Sequence, residues 1–525
     1  MPIRGNFPVL IHNLTEFYAR SYPDNTCLSL GDKQLTFSEL DAQVNQLANA
    51  MLSLEFSPGQ RVAILGENSI EHAICFLAAS KVGAVAVPLN YRLAPVELAY
   101  VINDAEARLL LVMDSALEQL TPLREHLSAK VNIVSSSSDD SLHWQEWLEQ
   151  FDQSAPQIEL GRDTPILQLY TSGTTGNPKG VVLSQYNMMS TIMLGNLTAA
   201  CRPNVGSAGI GIAPLFHIGG AGYLLSGLAN GMHIIIHETF DPMKFLDDIE
   251  QNPVEVVFMV PAMIMFILQI PGIEKRDFSG VKQIAYGASP ISESLLRQAI
   301  DIFKCDFAQL YGMTETAGYG TVLVQNDHAK ALAGQPELLR SCGRPNIGAS
   351  VKLMDSHGNE VEQGEIGEIW LKSNSSMLHY YNLEAATASS LTDGWVHTGD
   401  AGYQDEEGYI YLKDRIKDMV VSGGENIYPT EVENALVQHP GIADVAVIGV
   451  PDEKFGEALL AVVVLAPEQS LTAEEMIEFC RDKIAGYKIP RQLKLIDQLP
   501  RNPSGKLLKK ELRAPYWEGT DRGIG

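Results

Sequence analysis

The residues best suited to chemistry lie in one short loop, residues 169–180, which reads LYTSGTTGNPKG. Three glycines, four Ser or Thr hydroxyls and Lys179 stand between apolar, strand-like runs at residues 166–170 and 181–183. Glycines let the backbone approach a ligand closely, and successive backbone N–H groups form a nest for anions. Because Lys179 adds a mobile positive charge, the loop is suited to a polyphosphate. It is not a Walker A loop, since Gly180 follows the lysine where Ser or Thr is required.

Six further segments, taken with this loop and in this order, resemble the signature segments of the acyl-adenylate-forming enzymes. That superfamily includes acyl-CoA synthetases, luciferases and the adenylation domains of peptide synthetases. The segments are PLFHIGG (214–220), YGASP (286–290), QLYGMTETA (309–317), HTGD (397–400), DRIKDMVVSGGENIYPTEVE (414–433) and PRNPSGK (500–506). The resemblance covers nearly the whole chain and implies an AMP-forming acyl-CoA synthetase of the fatty-acid or aryl-acid type.

The reaction that the resemblance implies joins a carboxylate to the α-phosphate of ATP, releases pyrophosphate, and passes the acyl group to the thiol of coenzyme A. Two anions must meet in the first step, so neutralisation of charge dominates it. By the resemblance, Glu315 is a ligand of Mg²⁺, Thr314 hydrogen-bonds the α-phosphate, and Lys506 bridges the carboxylate and the α-phosphate. His217 is expected as a gate where the acyl pocket meets the coenzyme A tunnel, with a core histidine as the alternative. The implied cofactors are ATP, Mg²⁺ and coenzyme A.

The same resemblance assigns the residues that hold the nucleotide and coenzyme A. By the resemblance, the phosphates of ATP are bound by residues of the glycine-rich loop: Thr171, Ser172, Gly173, Thr174, Thr175, Gly176 and Lys179. The backbone of Gly287, Ala288 and Ser289 would pass along the adenine, Tyr311 is a further cofactor-binding residue, and Asp400 and Arg415 would contact the ribose. Lys417 matches the hinge about which the small C-terminal domain of the family rotates. Ser422, Gly423 and Gly424 match the loop that lines the pantetheine tunnel.

The order of apolar patterns indicates the fold class. Helical patterns alternate with short, β-branched apolar runs, which predicts α/β architecture with largely parallel sheets. Strand and turn signals crowd together from about residue 351, which predicts a β-rich subdomain. The polar run at residues 413–418 reads as a linker. We therefore expect a large adenylation domain over residues 1–416 and a small, mobile α+β domain over residues 417–525.

Composition limits the partners and the compartment. A chain of 525 residues is expected to form two or more domains, and its net charge of −26 argues against nucleic acid and anionic membranes as partners. Six scattered cysteines favour reduced thiols in a cytoplasm. The apolar stretch at residues 256–270 is too short to span a bilayer and is divided by Pro261, so we expect a buried strand followed by a helix. A homodimer is the default expectation.

One segment is basic although the chain as a whole is acidic. Residues 481–513 contain ten Lys or Arg against three acidic residues. This basic segment favours a polyanionic ligand such as ATP or coenzyme A, with a solvated basic surface as the alternative.

The substrate is indicated less directly. In the superfamily that the chain resembles, members that activate amino acids usually have an aspartate in the PLFHIGG region, where it pairs with the substrate ammonium. This chain has no acidic residue there, so the resemblance favours an uncharged acyl group. The small residues Gly219, Gly220, Gly318 and Gly320 favour a medium or long fatty acid, with an aryl or cinnamyl-type acid second. Family members often have Gly-Tyr where this chain has His379-Tyr380-Tyr381, which leaves the geometry of that loop open.

Alternative functions are an acyl-AMP ligase that loads a carrier protein, a luciferase-like oxidation and a non-catalytic acyl or nucleotide sensor. The SGGEN loop and the absence of an attached carrier domain favour coenzyme A as the acceptor. The sensor is disfavoured because a protein that only binds would not need Lys506.

Overall fold

The computed structural model describes residues 9–128, 131–136, 142–171, 177–198, 202–289, 291–415, 418–422, 425–452, 455–481, 483–501 and 507–517. The chain divides into two compact units, the first made of residues 1–351 and 371–397 and the second of residues 352–370 and 398–525. The division expected between residues 416 and 417 falls outside the described ranges and stays a prediction.

Short strands and helices alternate along the chain. The strands are β1 (Thr26–Leu30), β2 (Lys33–Thr36), β3 (Arg61–Leu65), β4 (Val85–Leu89), β5 (Leu109–Val112), β6 (Asn132–Ser135), β7 (Leu142–His143), β8 (Pro165–Thr171), β9 (Lys179–Ser184), β10 (Ala208–Gly211), β11 (His233–Ile236), β12 (Val256–Met259), β13 (Gln283–Gly287), β14 (Asp306–Tyr311), β15 (Thr321–Leu323), β16 (Arg344–Pro345), β17 (Ser350–Met354), β18 (Gly367–Lys372), β19 (His379–Tyr380), β20 (Leu391–Thr392), β21 (Trp395–Gln404), β22 (Ile410–Arg415), β23 (Val420–Ser422), β24 (Glu425–Ile427), β25 (Ile442–Asp452), β26 (Gly456–Leu465) and β27 (Gln492–Leu495).

The helices are α1 (Ile11–Ser21), α2 (Phe37–Ser53), α3 (Ile70–Val82), α4 (Pro95–Asp104), α5 (Leu117–Arg124), α6 (Trp144–Leu148), α7 (Gln185–Thr198), α8 (Ile218–Ala229), α9 (Pro242–Gln251), α10 (Pro261–Leu268), α11 (Glu293–Phe303), α12 (Gln325–Leu332), α13 (Glu384–Ser390), α14 (Pro429–Leu436), α15 (Ala473–Cys480) and α16 (Lys509–Trp517).

The largest sheet of the first unit explains the unbroken apolar runs in the sequence. Its strand order is β19-β9-β8-β4-β3-β5-β6-β7, and the pairs from β8-β4 to β6-β7 are parallel. Every residue of β4 and β5 is buried, and α3 buries all of its residues except Glu71. Parallel sheets covered on both faces have continuous hydrophobic strands because neither face meets water. The predicted α/β fold with parallel sheets is confirmed.

Two smaller sheets belong to the same unit, with strand orders β10-β11-β1-β2 and β12-β13-β14-β15-β16. The strands β12, β13 and β14 are parallel, so their carboxyl ends lie at one edge. The apolar stretch at residues 256–270 forms β12 and then α10, whose first residue is Pro261, as predicted. Within the described ranges, no helix is long and apolar enough to cross a membrane.

Local side-chain signals set several helix ends. At the start of α2, Thr36 Oγ1 accepts a hydrogen bond from the N–H of Glu39, and Glu39 Oε2 accepts one from the N–H of Thr36. This reciprocal capping box satisfies two backbone donors that the helix leaves unpaired. Thr472 and Glu475 repeat it at the start of α15. The helix α3 ends at Gly83, whose φ of 72° lies in the left-handed region that glycine adopts without a steric penalty.

The second unit is rich in strands, as predicted. The strands β17, β18 and β21 are neighbours in one sheet, and β22 pairs antiparallel with β21. A separate sheet has the order β24-β23-β26-β25, with β27 parallel to β26. The same part of the chain contains the helices α14 and α15 and the long antiparallel strands β25 and β26. The small α+β C-terminal part is confirmed.

Candidate active site

The predicted phosphate loop connects two antiparallel strands of the first unit. Thr171 ends β8, Lys179 begins β9, and the two residues are directly paired. Two candidate phosphate contacts therefore face each other where the hairpin opens into its loop. The other loop candidates, Ser172, Gly173, Thr174, Thr175 and Gly176, lie outside the described residues.

Glu315 lies in a 3₁₀ turn, Thr314–Thr316, shortly after the end of β14. Thr316 closes the turn, because its Oγ1 accepts from the N–H of Met313 and donates to the carbonyl of Met313, both at 3.1 Å. Glu315 is only 5% exposed. Its Oε1 accepts a hydrogen bond of 2.7 Å from the hydroxyl of Tyr380. The turn thus presents a buried carboxylate next to Thr314, the predicted contact of the α-phosphate.

The segment around His379 and Tyr380, whose geometry the sequence left open, is a strand in the structure. It forms β19, which pairs antiparallel with β9, so that Tyr380 lies opposite Val181. On either side of it, the N–H of Tyr381 donates to the carbonyl of Gly180 over 2.8 Å, and the N–H of Leu378 donates to the carbonyl of Val182. His379 in place of the usual glycine is therefore compatible with regular pairing.

Tyr380 joins the phosphate hairpin to the Glu315 turn. Its hydroxyl reaches Glu315, and its ring centroid lies 5.0 Å from Nζ of Lys179, within the range of a cation–π contact. Sequence reasoning missed this residue as a functional one. No spacing rule could have found it, because 65 positions separate Tyr380 from Glu315.

The Glu315 turn fits a magnesium site that the nucleotide completes. A buried carboxylate is costly unless it is hydrogen-bonded, and Glu315 has the hydrogen bond from Tyr380, whose ring also contacts Lys179. Among the described residues, no group of three or more His, Cys, Asp or Glu side chains could hold a metal ion. Mg²⁺ commonly takes one or two carboxylates and completes its octahedron with phosphate oxygens and water. The arrangement suits a metal that arrives with a triphosphate.

The predicted adenine residues lie at the carboxyl end of β13, and Tyr311, the further predicted cofactor-binding residue, lies at that of β14. Gly287 ends β13 opposite Leu310, and Tyr311 ends β14. A Cβ at residue 287 would lie 2.3 Å from the carbonyl oxygen of Leu310, so the sheet itself requires glycine there. Ala288 follows with a φ of 67°, a strained value for a residue with a side chain. The sharp turn that results carries Ala288 and Ser289 out of the sheet.

His217 lies immediately before α8 and carries a neutral imidazole. Burial, and to a smaller degree the charge of Arg92, lowers the pKa of His217 to about 4. Among the described residues its Nε2 has no hydrogen-bond partner although the atom is buried. The ring of Phe216 lies 4.5 Å from the ring of His217, and Tyr91 packs edge-on against Phe216. An aromatic, apolar wall therefore adjoins an unpaired ring nitrogen.

Two of the four glycines that the sequence interpretation used as evidence of pocket volume have another cause. A Cβ at Gly220 would lie 2.2 Å from the carbonyl oxygen of Pro214, and one at Gly320 would lie 2.7 Å from that of Tyr311. Both glycines are required by close backbone contacts, so they carry no information about acyl size. Gly219 does adjoin a side chain, since its Cβ would lie 2.9 Å from the ring of Phe258.

The second unit contains the predicted ribose contacts. Asp400 on β21 is directly paired with Arg415 on β22, and the N–H of Asp400 donates to Oγ1 of Thr398 over 3.0 Å. Ser422 ends β23 and pairs with Glu425. Lys417, Gly423, Gly424 and Lys506 lie outside the described residues, so their roles stay predictions.

Comparison with known proteins identifies the family. A family model described as AMP-binding enzyme matches residues 15–381, and one for the AMP-binding enzyme C-terminal domain matches residues 431–506. The chain belongs to the AMP-binding enzyme family. It is an AMP-forming ligase of the acyl-CoA synthetase type, a class that uses ATP, Mg²⁺ and coenzyme A.

Relatives of this AMP-binding enzyme act on different acids. The fatty acid–[acyl-carrier-protein] ligase ScoC of Streptomyces coeruleorubidus is 35% identical over 97% of both chains. A feruloyl-CoA synthase of Amycolatopsis is 36% identical over 95% of this chain and 97% of the relative.

Two solved structures are similar over nearly their whole length. A Mycobacterium tuberculosis fatty acyl CoA synthetase is 30% identical with a TM-score of 0.76, covering 97% of this chain and 98% of that one. The o-succinylbenzoate coenzyme A synthetase of Bacillus subtilis with ATP and magnesium is 30% identical with a TM-score of 0.83, covering 95% and 99%.

The basic segment of this AMP-binding enzyme is partly neutralised by ion pairs among the described residues of its own unit. Of its ten cations, five pair with acidic side chains: Arg481 with Glu478, Lys488 with Glu431, Arg501 with Asp444, Lys509 with Glu433 and Arg513 with Asp418. All five acids precede residue 481, so they lie outside the segment that the sequence count covered. The excess of positive charge is therefore weaker evidence for a polyanionic ligand than the count implied.

Proposed function

We propose that this AMP-binding enzyme activates a carboxylic acid with Mg-ATP to an acyl-adenylate and then transfers the acyl group to coenzyme A. The observation that carries the proposal is the convergence of Lys179 and Glu315 on Tyr380, which brings a candidate phosphate contact and a candidate metal ligand to one place in the first unit. A protein that only sensed nucleotide would have no use for Lys506, which matches the residue that bridges the two reacting anions.

In this mechanism Lys179 and the hydroxyl of Thr171 hold the β- and γ-phosphates, and Thr314 hydrogen-bonds the α-phosphate. Glu315 holds Mg²⁺, which neutralises phosphate oxygens when it is bound. Lys506 stabilises the charge that develops between the attacking carboxylate and the α-phosphate. Asp400 and Arg415 hold the ribose. The predicted C-terminal domain, residues 417–525, then rotates about Lys417 so that Ser422, Gly423 and Gly424 line the path of the coenzyme A thiol.

The neighbourhood of His217 supports an uncharged acyl group. Phe216 packs against His217 and Phe258 adjoins Gly219, so both offer apolar surface near the start of α8, and a neutral His217 adds no charge that would favour a second carboxylate. We place a fatty acid first, in keeping with the similarity to ScoC and to the M. tuberculosis synthetase. An aryl or cinnamyl-type acid is second, in keeping with the feruloyl-CoA synthase.

A second acceptor has a specific observation in its favour. ScoC, similar over almost the whole chain, is by its name a ligase for an acyl carrier protein. Transfer to a carrier protein would use the same adenylation residues and differ only in the second half-reaction.

The test is pyrophosphate release with Mg-ATP across fatty, aryl and dicarboxylic acids, with coenzyme A, with a phosphopantetheinylated carrier protein, or with neither. We expect one acid class to give pyrophosphate, a thioester of coenzyme A to accumulate, and Lys506→Ala to lower adenylation by about 10²–10³-fold. Acyl transfer to the carrier protein alone would make that protein the acceptor. Absence of pyrophosphate with every acid, while ATP still binds, would contradict the ligase activity.

A further inference from the structure

One tyrosine contacts both charged groups that the proposed adenylation uses. Tyr380 is 6% exposed, its hydroxyl lies 2.7 Å from Glu315 Oε1, and its ring centroid lies 5.0 Å from Lys179 Nζ. We propose that Tyr380 is a positioning residue that holds these opposite charges apart, each in place for the metal–nucleotide. The inference rests on the roles proposed above for Lys179 and Glu315.

The need for a spacer follows from electrostatics. An ammonium and a carboxylate attract strongly where water is excluded, and a direct pair between Lys179 and Glu315 would occupy the groups that should bind phosphate and metal. Tyrosine meets both charges with different parts of one rigid side chain. The negative face of its ring attracts the cation, and its hydroxyl donates to the carboxylate. Phenylalanine could do only the first, and leucine neither.

Tyr380 is itself held in place. It pairs with Val181 on β9, the strand that begins with Lys179. Its N–H donates to Oγ1 of Thr387 over 3.0 Å, and that hydroxyl donates to the carbonyl of Leu383 over 2.9 Å. These contacts fix the backbone of Tyr380 beside the strand that carries Lys179.

The adjacent Tyr381 provides a matched control. Its hydroxyl donates to Glu106 over 3.2 Å at the surface, and its ring lies 3.7 Å from Cζ of Arg61. Each of the two successive tyrosines therefore contacts one cation and one carboxylate. Only the contacts of Tyr380 are with residues of the proposed site.

The first experiment measures ATP binding to the full-length protein by calorimetry, in EDTA and in Mg²⁺. The affinity in Mg²⁺ divided by the affinity in EDTA, here called the magnesium gain, reports on the metal contact of Glu315. In Tyr380→Phe we expect the magnesium gain to fall about tenfold, as for a lost hydrogen bond to a charged group, while the affinity in EDTA stays within about twofold. In Tyr380→Leu we expect a further loss of roughly threefold in EDTA, because the ring no longer holds Lys179. Tyr381→Phe should match the native protein in both conditions.

The second experiment measures pyrophosphate formation against Mg²⁺ concentration. Tyr380→Phe should raise the concentration for half-maximal rate by about tenfold and leave the KM of the acid unchanged. If the role of Tyr380 were purely structural, Tyr380→Phe would change both the Mg²⁺ concentration for half-maximal rate and the KM of the acid. Thr387→Val removes the hydrogen bond from the backbone N–H of Tyr380 and leaves the tyrosine side chain intact. It should lower the magnesium gain by about twofold to threefold. This variant keeps the test decisive if Tyr380→Phe does not fold.

An unchanged magnesium gain in Tyr380→Phe, together with a lost gain in Glu315→Gln, would overturn the positioning role and leave the proposed function intact. A full gain in Glu315→Gln would refute the metal role of Glu315 and the positioning role with it. Because binding is measured without an acid, failure to find a substrate would count against the proposed function alone.

Discussion

Lys509→Met tests whether a buried ion pair holds the helix that follows the predicted catalytic lysine. Lys509 is the first residue of α16, its Nζ lies 2.9 Å from Glu433 Oε1, and the two side chains are 10% and 16% exposed. Removal of one partner of a buried pair costs about 3–5 kcal/mol, because the other charge is left unpaired. Glu433 keeps a hydrogen bond of 2.6 Å from the N–H of Val447, so we expect a loss at the lower limit, about 3 kcal/mol.

The loss should depend on pH through Glu433. Burial raises the pKa of Glu433 above its usual 4.5, and Lys509 opposes that rise. In Lys509→Met the opposition disappears, so the pKa of Glu433 rises further. A carboxyl whose pKa is higher in the folded state binds more protons there, so the free energy of unfolding falls as the pH rises from about 4.5 through the folded-state pKa. The deficit of the variant should therefore be smaller at pH 5 than at pH 8.

Hydrogen exchange suits this measurement, since a chain of two units need not unfold in one step. We expect amides of α16 and of the central residues of β25 to exchange about 150-fold faster in Lys509→Met at pH 8, as a loss of about 3 kcal/mol implies. Lys510→Met, at the exposed neighbour, is the control and should match the native protein. Equal protection in the two variants, or a larger deficit at pH 5 than at pH 8, would refute the reasoning.

Two shorter predictions concern the first unit. Gly287→Ala should destabilise the first unit by about 1–3 kcal/mol, because the added Cβ meets the carbonyl of Leu310. Hydrogen exchange of the amides of β13 and β14 checks this against Gly161→Ala, which has open space at its position. For His217, a pKa lowered to about 4 means that the folded state binds fewer protons than the unfolded state between pH 4 and 6.5. Between pH 7.5 and pH 5.0 the first unit of the native protein should therefore lose more stability than that of His217→Gln, as measured by hydrogen exchange of the amides of α8 after correction for the intrinsic rates. Similar losses would contradict a neutral, buried imidazole.

Much of the architecture could be predicted from local signals in the sequence. The apolar runs at residues 166–170 and 181–183 lie within β8 and β9, and Pro261 marks the start of α10. Such elements are predictable because burial on both faces demands unbroken apolar strands and proline is tolerated at the first helical position. The seven signature segments, which follow one another in the family's order from residue 169 to residue 506, were enough to predict the family, and the comparisons confirm it.

The sequence alone determined which residue types are available for adenylation, but only the tertiary structure decided which of them meet. Tyr380 reaches Glu315, 65 positions earlier in the chain, because β19 adds to the edge of β9. Gly220 and Gly320 are glycines because the carbonyls of Pro214 and Tyr311 approach them, not because an acyl chain does. A long-range contact such as that between Tyr380 and Glu315 leaves no periodicity in the sequence, since the chain between the two residues can take any path that brings the same surfaces together.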